Sequence, residues 1–273
     1  MTVNILGSNG NAVISTATAN LTETDTALTS SGVLTITDVD SPAVFVAETI
    51  TGTYGSVTIQ ANGQWTYTAN SAHNEFAAGS VHSDVFQVSS DDGTPSTITV
   101  NILGTNDAAV MSTATASMTE TNSALTTSGM LTIADVDSPA TFAAGTLAGT
   151  YGSIALQANG QWTYTASSAH NEFAAGSTYS ESFTVTASDG TTSTIVIDIL
   201  GTNDAAVISA SSTASLTETD AVLTASGNLT ITDADSAATF VAGTIAGTYG
   251  SITIDANGAW NYTASSAHPE FAA

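Results

Sequence analysis

Oxygen-bearing side chains recur at fixed places along this chain, and their types limit the chemistry they could do. Asp38 and Asp40 stand two apart in "DVDS", as do Asp135 and Asp137, and Asp233 and Asp235 share the spacing in "DADS". Glu23, Glu120 and Glu218 each stand in a "TET" segment, and Asp92 and Asp189 each precede a glycine. Asn106 and Asp107 belong to "ILGTNDAAV", which returns letter for letter around Asn203 and Asp204. Glu75 and Glu172 stand in "HNEF". Each motif alone has an ordinary explanation, because Asx residues bond their own backbone in turns. Gathered at one place, carboxylate and amide oxygens without nitrogen or sulfur competitors suit a hard cation that takes 6–8 oxygens, which is Ca²⁺.

The charge balance makes that gathering significant. The 273 residues include 24 Asp plus Glu, four His and no Lys or Arg, for a formal charge of −24. Carboxylates that meet must therefore be solvated, protonated or neutralised by a bound cation. Nucleic acid and anionic membrane surfaces need Lys and Arg, so neither is an expected partner. Without cysteine there is no disulfide, thiolate metal site or catalytic thiol. No apolar run approaches the length of a membrane span, so this segment is not expected to insert. No nucleophile elbow or phosphate loop appears, so the chain does not read as an enzyme.

The elements that must position these acids repeat. "GTYGSVTIQANGQWTYTA", "GTYGSIALQANGQWTYTA" and "GTYGSITIDANGAWNYTA" begin two residues before Tyr54, Tyr151 and Tyr249. A period of nearly a hundred residues is one small domain per copy rather than a solenoid turn. The expected division is a closing strand and linker over 1–10, complete repeats over 11–104 and 105–201, and an incomplete repeat over 202–273. "MTVNILG" at the start matches the closing strand "ITVNILG" of the first repeat, so the segment reads as a piece of a longer array. Within each copy apolar residues alternate with Thr and Ser between Gly, Asn and Asp turns. The expected strands are 11–22, 32–40, a weak run at 44–47, 55–60, 64–69, 83–90 and 96–103. About seven strands at this spacing indicate an all-β chain of tandem Ig- or cadherin-like sandwiches in an extended array.

Threading those strands up and down sends the acids to the joints. Between repeats one and two, Glu23 and Glu75 come from below, Asn106 and Asp107 from the linker, and Asp135, Asp137 and Asp189 from above. Glu120, Glu172, Asn203, Asp204, Asp233 and Asp235 form the same set at the next joint. Asp38, Asp40 and Asp92 face the incoming linker, but "SNGN" carries Gly10 where the other linkers carry Asp. That first joint is expected to hold calcium weakly.

"FQVSSDDGTPSTITVNILGTNDAAV" and "FTVTASDGTTSTIVIDILGTNDAAV", with the "GTYGSVTIQANGQWTYT" phrase, resemble VCBS-type repeats. Those are bacterial Ig/cadherin-like repeats of large RTX-type adhesins and surface proteins. The resemblance implies a secreted, calcium-dependent protein at the bacterial cell surface, whose repeats extend a binding tip and neighbour one another along the chain. Two other readings of the array are a carbohydrate-binding module, suggested by Trp65 with Tyr67, and a matrix or sheath filament of identical chains. The pairs His73/Glu75, His170/Glu172 and His268/Glu270 offer too few ligands for a transition metal.

Overall fold

Strict alternation gives each strand one face for a core and one for water. The computed structural model describes residues 1–209, 212–268 and 270, and among them there is no α-helix. They fall into two compact units. One comprises residues 1–112, 132–142 and 186–192, and the other residues 113–131, 143–185 and 193–273.

The first unit contains the first repeat, built from β1 (Val13–Ile14), β2 (Ala17–Thr22), β3 (Thr29–Val33), β4 (Ile36–Thr37), β5 (Glu48–Thr51), β6 (Gly55–Ile59), β7 (Gln64–Ala69), β8 (Val81–Ser89) and β9 (Pro95–Leu103). A four-stranded sheet has the order β3-β7-β6-β5 and a three-stranded sheet the order β2-β9-β8. β2 runs parallel to β9, pairing Ala19 with Val100 and Leu21 with Ile102. The inner faces bury Val57, Ile59, Trp65 and Tyr67 from one sheet and Phe86, Ile98, Val100 and Ile102 from the other. Trp65 and Tyr67 are therefore core residues, not an exposed sugar platform. Gly32 pairs with Trp65 across the sheet, and its missing Cβ makes room for the indole, which would lie 2.7 Å from that atom.

The all-β reading holds, with a finer division than seven strands. The run at 11–22 splits because β1 pairs with β4 and β2 with β9. Ser15 marks the crossing: its hydroxyl accepts the Thr35 N–H at 2.8 Å and its carbonyl accepts the Ser96 hydroxyl at 2.7 Å. The run at 32–40 divides likewise into β3 and β4. The weak run at 44–47 forms only a bridge from Phe45 to Ser90. β5 is an edge strand that half-buries Ile50 alone, too little apolar alternation for the sequence to reveal it.

The second unit contains a four-stranded sheet of Thr126–Met130, Gln161–Ala166, Gly152–Leu156 and Gly145–Ala148 in hydrogen-bonded order. Its three-stranded sheet sets Ala114–Thr119 parallel to Thr192–Leu200, with Thr178–Thr186 beyond. The same unit contains the third repeat's four-stranded sheet, Thr224–Asn228, Ala259–Ala264, Gly250–Ile254 and Gly243–Ala246. Among the described residues the third repeat has no three-stranded sheet.

Candidate metal centre

The joint after β9 begins at Gly104. A Cβ there would lie 2.4 Å from the Phe76 carbonyl and 2.5 Å from that of Ala77, so only glycine lets the chain pass the 76–77 loop so closely. The Glu23 N–H donates to the Leu103 carbonyl at 2.8 Å, and its Oε2 accepts the Thr105 N–H at 2.9 Å. This holds a carboxylate that is only 2 % exposed, and its Oε1 has no partner. Asn74 Nδ2 donates to Asp107 Oδ1 at 3.3 Å, leaving Asn74 Oδ1 and Asp107 Oδ2 buried and unpartnered. From the next repeat, Asp135 accepts the N–H groups of Asp137 and Ser138 at 3.1 and 2.9 Å and fixes the loop that carries Asp137. Both carboxylate oxygens of Asp137 are buried without partners.

The second joint repeats the arrangement inside the second unit. Glu120, also 2 % exposed, accepts the Thr202 hydroxyl and N–H on Oε2 at 2.6 and 3.2 Å and leaves Oε1 free of partners. Asn171 Oδ1, Asp204 Oδ2 and Asp235 Oδ2 are likewise buried and unpartnered, while Asp235 Oδ1 faces the Asp204 N–H at 3.3 Å. A cavity of about 480 Å³ opens there, lined in part by Asn122, Asn171, Asp204 and Asp233.

Among the described residues, every buried, unpartnered carboxylate or amide oxygen belongs to one of these two joints. Each such group costs roughly 1–3 kcal/mol when left unsatisfied, and more when charged. The crowding shifts the carboxyls in opposite directions according to their surroundings. Burial, then the charges of Glu23, Asp25 and Asp137, push the Asp107 carboxyl above the usual range. Burial, then Asp135, does the same to Asp137. Asp204 is raised by burial and then by Glu120, Asp235 and Asp233. Asp135 moves the other way, lowered first by the Ser138 hydroxyl. Asp233 is lowered first by its bond with Asp235.

The donor set is oxygen alone, part carboxylate and part amide, which fits Ca²⁺. The side chains are not preset for it: among the described residues no three His, Asp or Glu stand close enough to share an ion. Like-charged carboxylates with nothing between them repel, so ligation here would draw them inward.

The remaining expected ligands stand elsewhere in their loops. Asp189 uses Oδ2 for the Ala109 N–H at 2.9 Å and the Thr191 hydroxyl at 2.6 Å, and Oδ1 for the Thr191 N–H. The Thr191 hydroxyl and then the Ala109 N–H hold its carboxyl down to about 2, so it pins the linker as an acceptor. Asp92 does the same for the Ala12 N–H at 2.8 Å, and is also lowered to about 2, led by Ser90. Asn106 and Asn203 turn back onto the carbonyls of Asp107 and Asp204 at 2.8 and 2.7 Å. Asp38 accepts from the backbone of Asp40 and Ser41, and Asp40 accepts the Gly10 N–H at 2.8 Å.

Glu75 and Glu172 are exposed and bond His73 and His170 through Nδ1 at 3.0 Å. Those imidazoles are buried, and their Nε2 atoms reach the carbonyls of Tyr54 and Tyr151 at 2.7 Å. The residues that reach the joint from this loop are the neighbours, Asn74 and Asn171, which sequence reasoning passed over. A signal existed: both repeats that a "TND" linker follows carry "HNEF", whereas the third reads "HPEF". Asp25 and Asn122, adjacent to the joints, vary in type between the repeats and gave no such signal.

The family described as bacterial cadherin-like domain matches the chain twice, over residues 9–104 and 106–201. No curated protein matches. Among solved structures, mouse cadherin-23 EC22–24 is 13 % identical with a TM-score of 0.45, covering 95 % of this chain and 89 % of its own. Human CDH23 EC21–23 is 15 % identical with a TM-score of 0.46, covering 93 % and 90 %. Protocadherin gamma B7 extracellular cadherin domains 1–4 are 15 % identical with a TM-score of 0.42, covering 92 % of this chain. This chain spans 66 % of that protocadherin's length, and 51 % and 42 % of two other protocadherin gamma chains.

Proposed function

The chain belongs to the bacterial cadherin-like domain family, and from that premise we propose that it is a structural extender of a secreted bacterial surface protein, stiffened by Ca²⁺ at its joints. One observation carries the reading: the buried, unpartnered oxygens of Glu23, Asn74, Asp107 and Asp137, and again of Glu120, Asn171, Asp204 and Asp235. A chain with no Lys or Arg has no side chain of its own, apart from four His, to neutralise them. When bound, the ion supplies the positive charge and the coordination that these oxygens lack. Glu23 and Glu120 also accept linker N–H groups, so an ion there would tie the end of one repeat, the linker and the Asp-x-Asp loop of the next. The reading assigns the chain no reaction and gives it the VCBS-type adhesin role that its repeats suggest.

Extracellular modules of this kind bind calcium with Kd of about 10⁻⁴–10⁻³ M. Calcium at roughly 100 times Kd stabilises a site by about 2.7 kcal/mol. The test is limited proteolysis and thermal unfolding of the whole chain in chelator, then across a calcium titration, with magnesium as control. Chelation should expose 104–108 and 201–205 to cleavage and lower the transition, and calcium should reverse both. Identical cleavage and unfolding in chelator and in millimolar calcium would overturn the proposal.

A further inference from the structure

The corner between β6 and β7 reads "ANGQ" at 61–64, and its equivalents read "ANGQ" at 158–161 and "ANGA" at 256–259. Each is a three-residue hairpin loop that ends on a left-handed glycine, with φ of 83° at Gly63, 88° at Gly160 and 86° at Gly258. Space as well as φ requires glycine: a Cβ at Gly63 would lie 2.3 Å from the Leu34 carbonyl, and one at Gly258 2.1 Å from that of Leu229. The three glycine carbonyls accept the N–H groups of Leu34, Leu131 and Leu229 at 2.9 Å. The glycines are buried and the asparagines before them are exposed. An Asn-Gly pair is also where a backbone nitrogen meets a side-chain amide with least hindrance, because no Cβ stands beside that nitrogen.

The three asparagines are not held alike. Asn62 Oδ1 accepts the Gln64 N–H at 3.0 Å, two residues on. Asn159 Oδ1 accepts the Gln161 N–H at 3.0 Å, and its Nδ2 reaches Gln161 Oε1 at 3.3 Å. In the third repeat Asp255 stands where the others carry Gln60 and Gln157. Its Oδ1 takes the N–H of Ala259, the counterpart of Gln64 and Gln161, at 2.9 Å, and that of Asn257 at 2.9 Å. The donor that holds the amide in the first two corners is thus engaged elsewhere. Among the described residues the Asn257 side chain makes no hydrogen bond.

We propose that Asn257 is a site of spontaneous deamidation in the folded chain, that Asn62 and Asn159 are protected from it, and that the residue two before each asparagine decides between these outcomes. The Gly258 nitrogen gives its proton to hydroxide and attacks Asn257 Cγ. A C–N bond forms, the side-chain nitrogen leaves as ammonia, and a five-membered succinimide closes. Water opens the ring at either carbonyl, leaving aspartate or isoaspartate. One water is consumed and one ammonia released, and nothing is oxidised or reduced. In every corner the glycine N–H donates to the carbonyl of residue 60, 157 or 255, at 2.9, 3.0 and 3.1 Å, so that restraint is shared. The difference lies in the amide under attack. Its face must turn toward the glycine nitrogen, and in the first two corners Oδ1 must first release an N–H. The Asp255 charge opposes loss of the Gly258 proton, but it stands exposed at a hairpin tip, where salt and water screen it. Isoaspartate adds a methylene to the main chain beside Gly258, so the product shifts the corner that Leu229 bonds.

The test ages the whole chain in mildly alkaline buffer, in calcium and in chelator, because the inference does not rest on metal binding. Fragments cut after aromatic residues are weighed, since the chain has no Lys or Arg for tryptic cleavage, and isoaspartate is read by enzymatic methylation. Asn257 should convert about three- to tenfold faster than Asn62 and Asn159, the ratio given by one hydrogen bond broken before attack. In denaturant the three rates should draw level. Gln157→Asp should raise the Asn159 rate to that of Asn257, within a repeat whose two sheets are both described, and Asp255→Gln should lower Asn257 to the rate of Asn62. Both positions are exposed, so the substitutions leave the strands in place. Equal rates in the folded chain, the same ranking in denaturant, a slow Asn159 in Gln157→Asp or a fast Asn257 in Asp255→Gln would overturn the proposal.

Discussion

The second and third repeats carry nearly the same words, but Thr178–Thr186 and Thr192–Leu200 of the second have no counterparts among the described residues of the third. "TATASMTET" in one and "STASLTET" in the other differ by little, yet Ala114–Thr119 is a strand and residues 213–218 are not. Ile154 is fully buried, while its equivalent, Ile252, is 37 % exposed. Glu120 is buried against the linker, whereas Glu218 is only half-buried. What differs is the partner: Ala114–Thr119 lies parallel to Thr192–Leu200, and no such strand is described beside 213–218. Alternation supplies a strand's potential, and the neighbouring strand realises it. The buried glutamate, and so the candidate metal centre, depends on that neighbour.

The sharpest way to break this comparison is to place the same charge at the two equivalent isoleucines. Ile154→Asp buries an unpaired carboxylate and should cost about 4–5 kcal/mol, enough to unfold the second repeat. Ile252→Asp, studied at dilution, should cost under about 1 kcal/mol, because its carboxylate can reach water. Each repeat has one tryptophan (Trp65, Trp162, Trp260), so denaturation of variants that retain a single tryptophan reports each repeat separately. Equal costs would mean that the two isoleucines are enclosed to the same degree in solution.

A smaller contrast follows at the glutamates. Glu120→Ala removes the acceptor of the Thr202 N–H and hydroxyl and should cost about 1–3 kcal/mol, with weakened calcium binding. Glu218→Ala should change stability by less than about 0.5 kcal/mol. Calorimetric titration with calcium alongside denaturation separates the two effects, and an equal loss at both positions would remove the assigned role of the joint.

The limits of sequence reading follow from the same physics. The all-β, tandem-repeat character was legible, because period-2 alternation and a repeat of nearly a hundred residues are written in the sequence. Which side chain of a loop turns toward the joint was not. Glu75 and Asn74 are neighbours in one turn, and the choice between them rests on His73, whose φ of 66° and buried ring take up the Glu75 carboxylate. Asp189 looked like a ligand because it is acidic and near the linker. Only its hydrogen bonds show that both its oxygens already have partners.

The joints and their pinning residues should separate under pH. Asp107, Asp137 and Asp204 have raised pKa values in the fold, led by burial, so the docked linker binds protons more readily than the open one. Their effect favours docking at low pH and turns against it as pH rises through the raised values. Asp92 and Asp189 are held at about 2, so their contribution is present above the ordinary carboxylate range and lost as pH falls toward 2. In chelator, cleavage at 201–205 should therefore be slower at a pH below the raised value of Asp204 than at a pH above it. In calcium the order should invert, because ligating carboxylates must be deprotonated. The readout is the cleavage rate at each pH, corrected with an unstructured peptide substrate. The same order with and without calcium would separate the carboxylates from the ion.

The smallest expected effect compares one tyrosine across three repeats. Tyr164 donates its phenol to Glu181 Oε1 at 2.7 Å, and Tyr262 donates to the Tyr249 carbonyl at 3.0 Å, but the buried Tyr67 hydroxyl has no partner. Asp84 stands where Glu181 stands, one methylene shorter, with its oxygens taken by the N–H groups of Thr53 and Tyr54 at 2.8 and 2.9 Å. Burial and then the Asp84 charge push the Tyr67 phenol up to about 12, so it stays protonated and able to donate. Glu181 reaches the phenol while keeping the Tyr151 N–H at 3.0 Å. Asp84→Glu should therefore exchange the Thr53 bond, near the surface, for the buried phenol. The net gain for the first repeat is about 0.5–1 kcal/mol, below the cost of a fully orphaned hydroxyl because one bond is given up. Gly52 permits the change, since a Cβ there would already lie 2.5 Å from the Asp84 carboxylate and the site stays open on that side. Glu181→Asp should lose a similar amount in the second repeat. Denaturation followed through Trp65 and Trp162 measures both, and a loss of stability in Asp84→Glu would show that the Thr53 and Tyr54 bonds matter more to this turn than the unmet phenol.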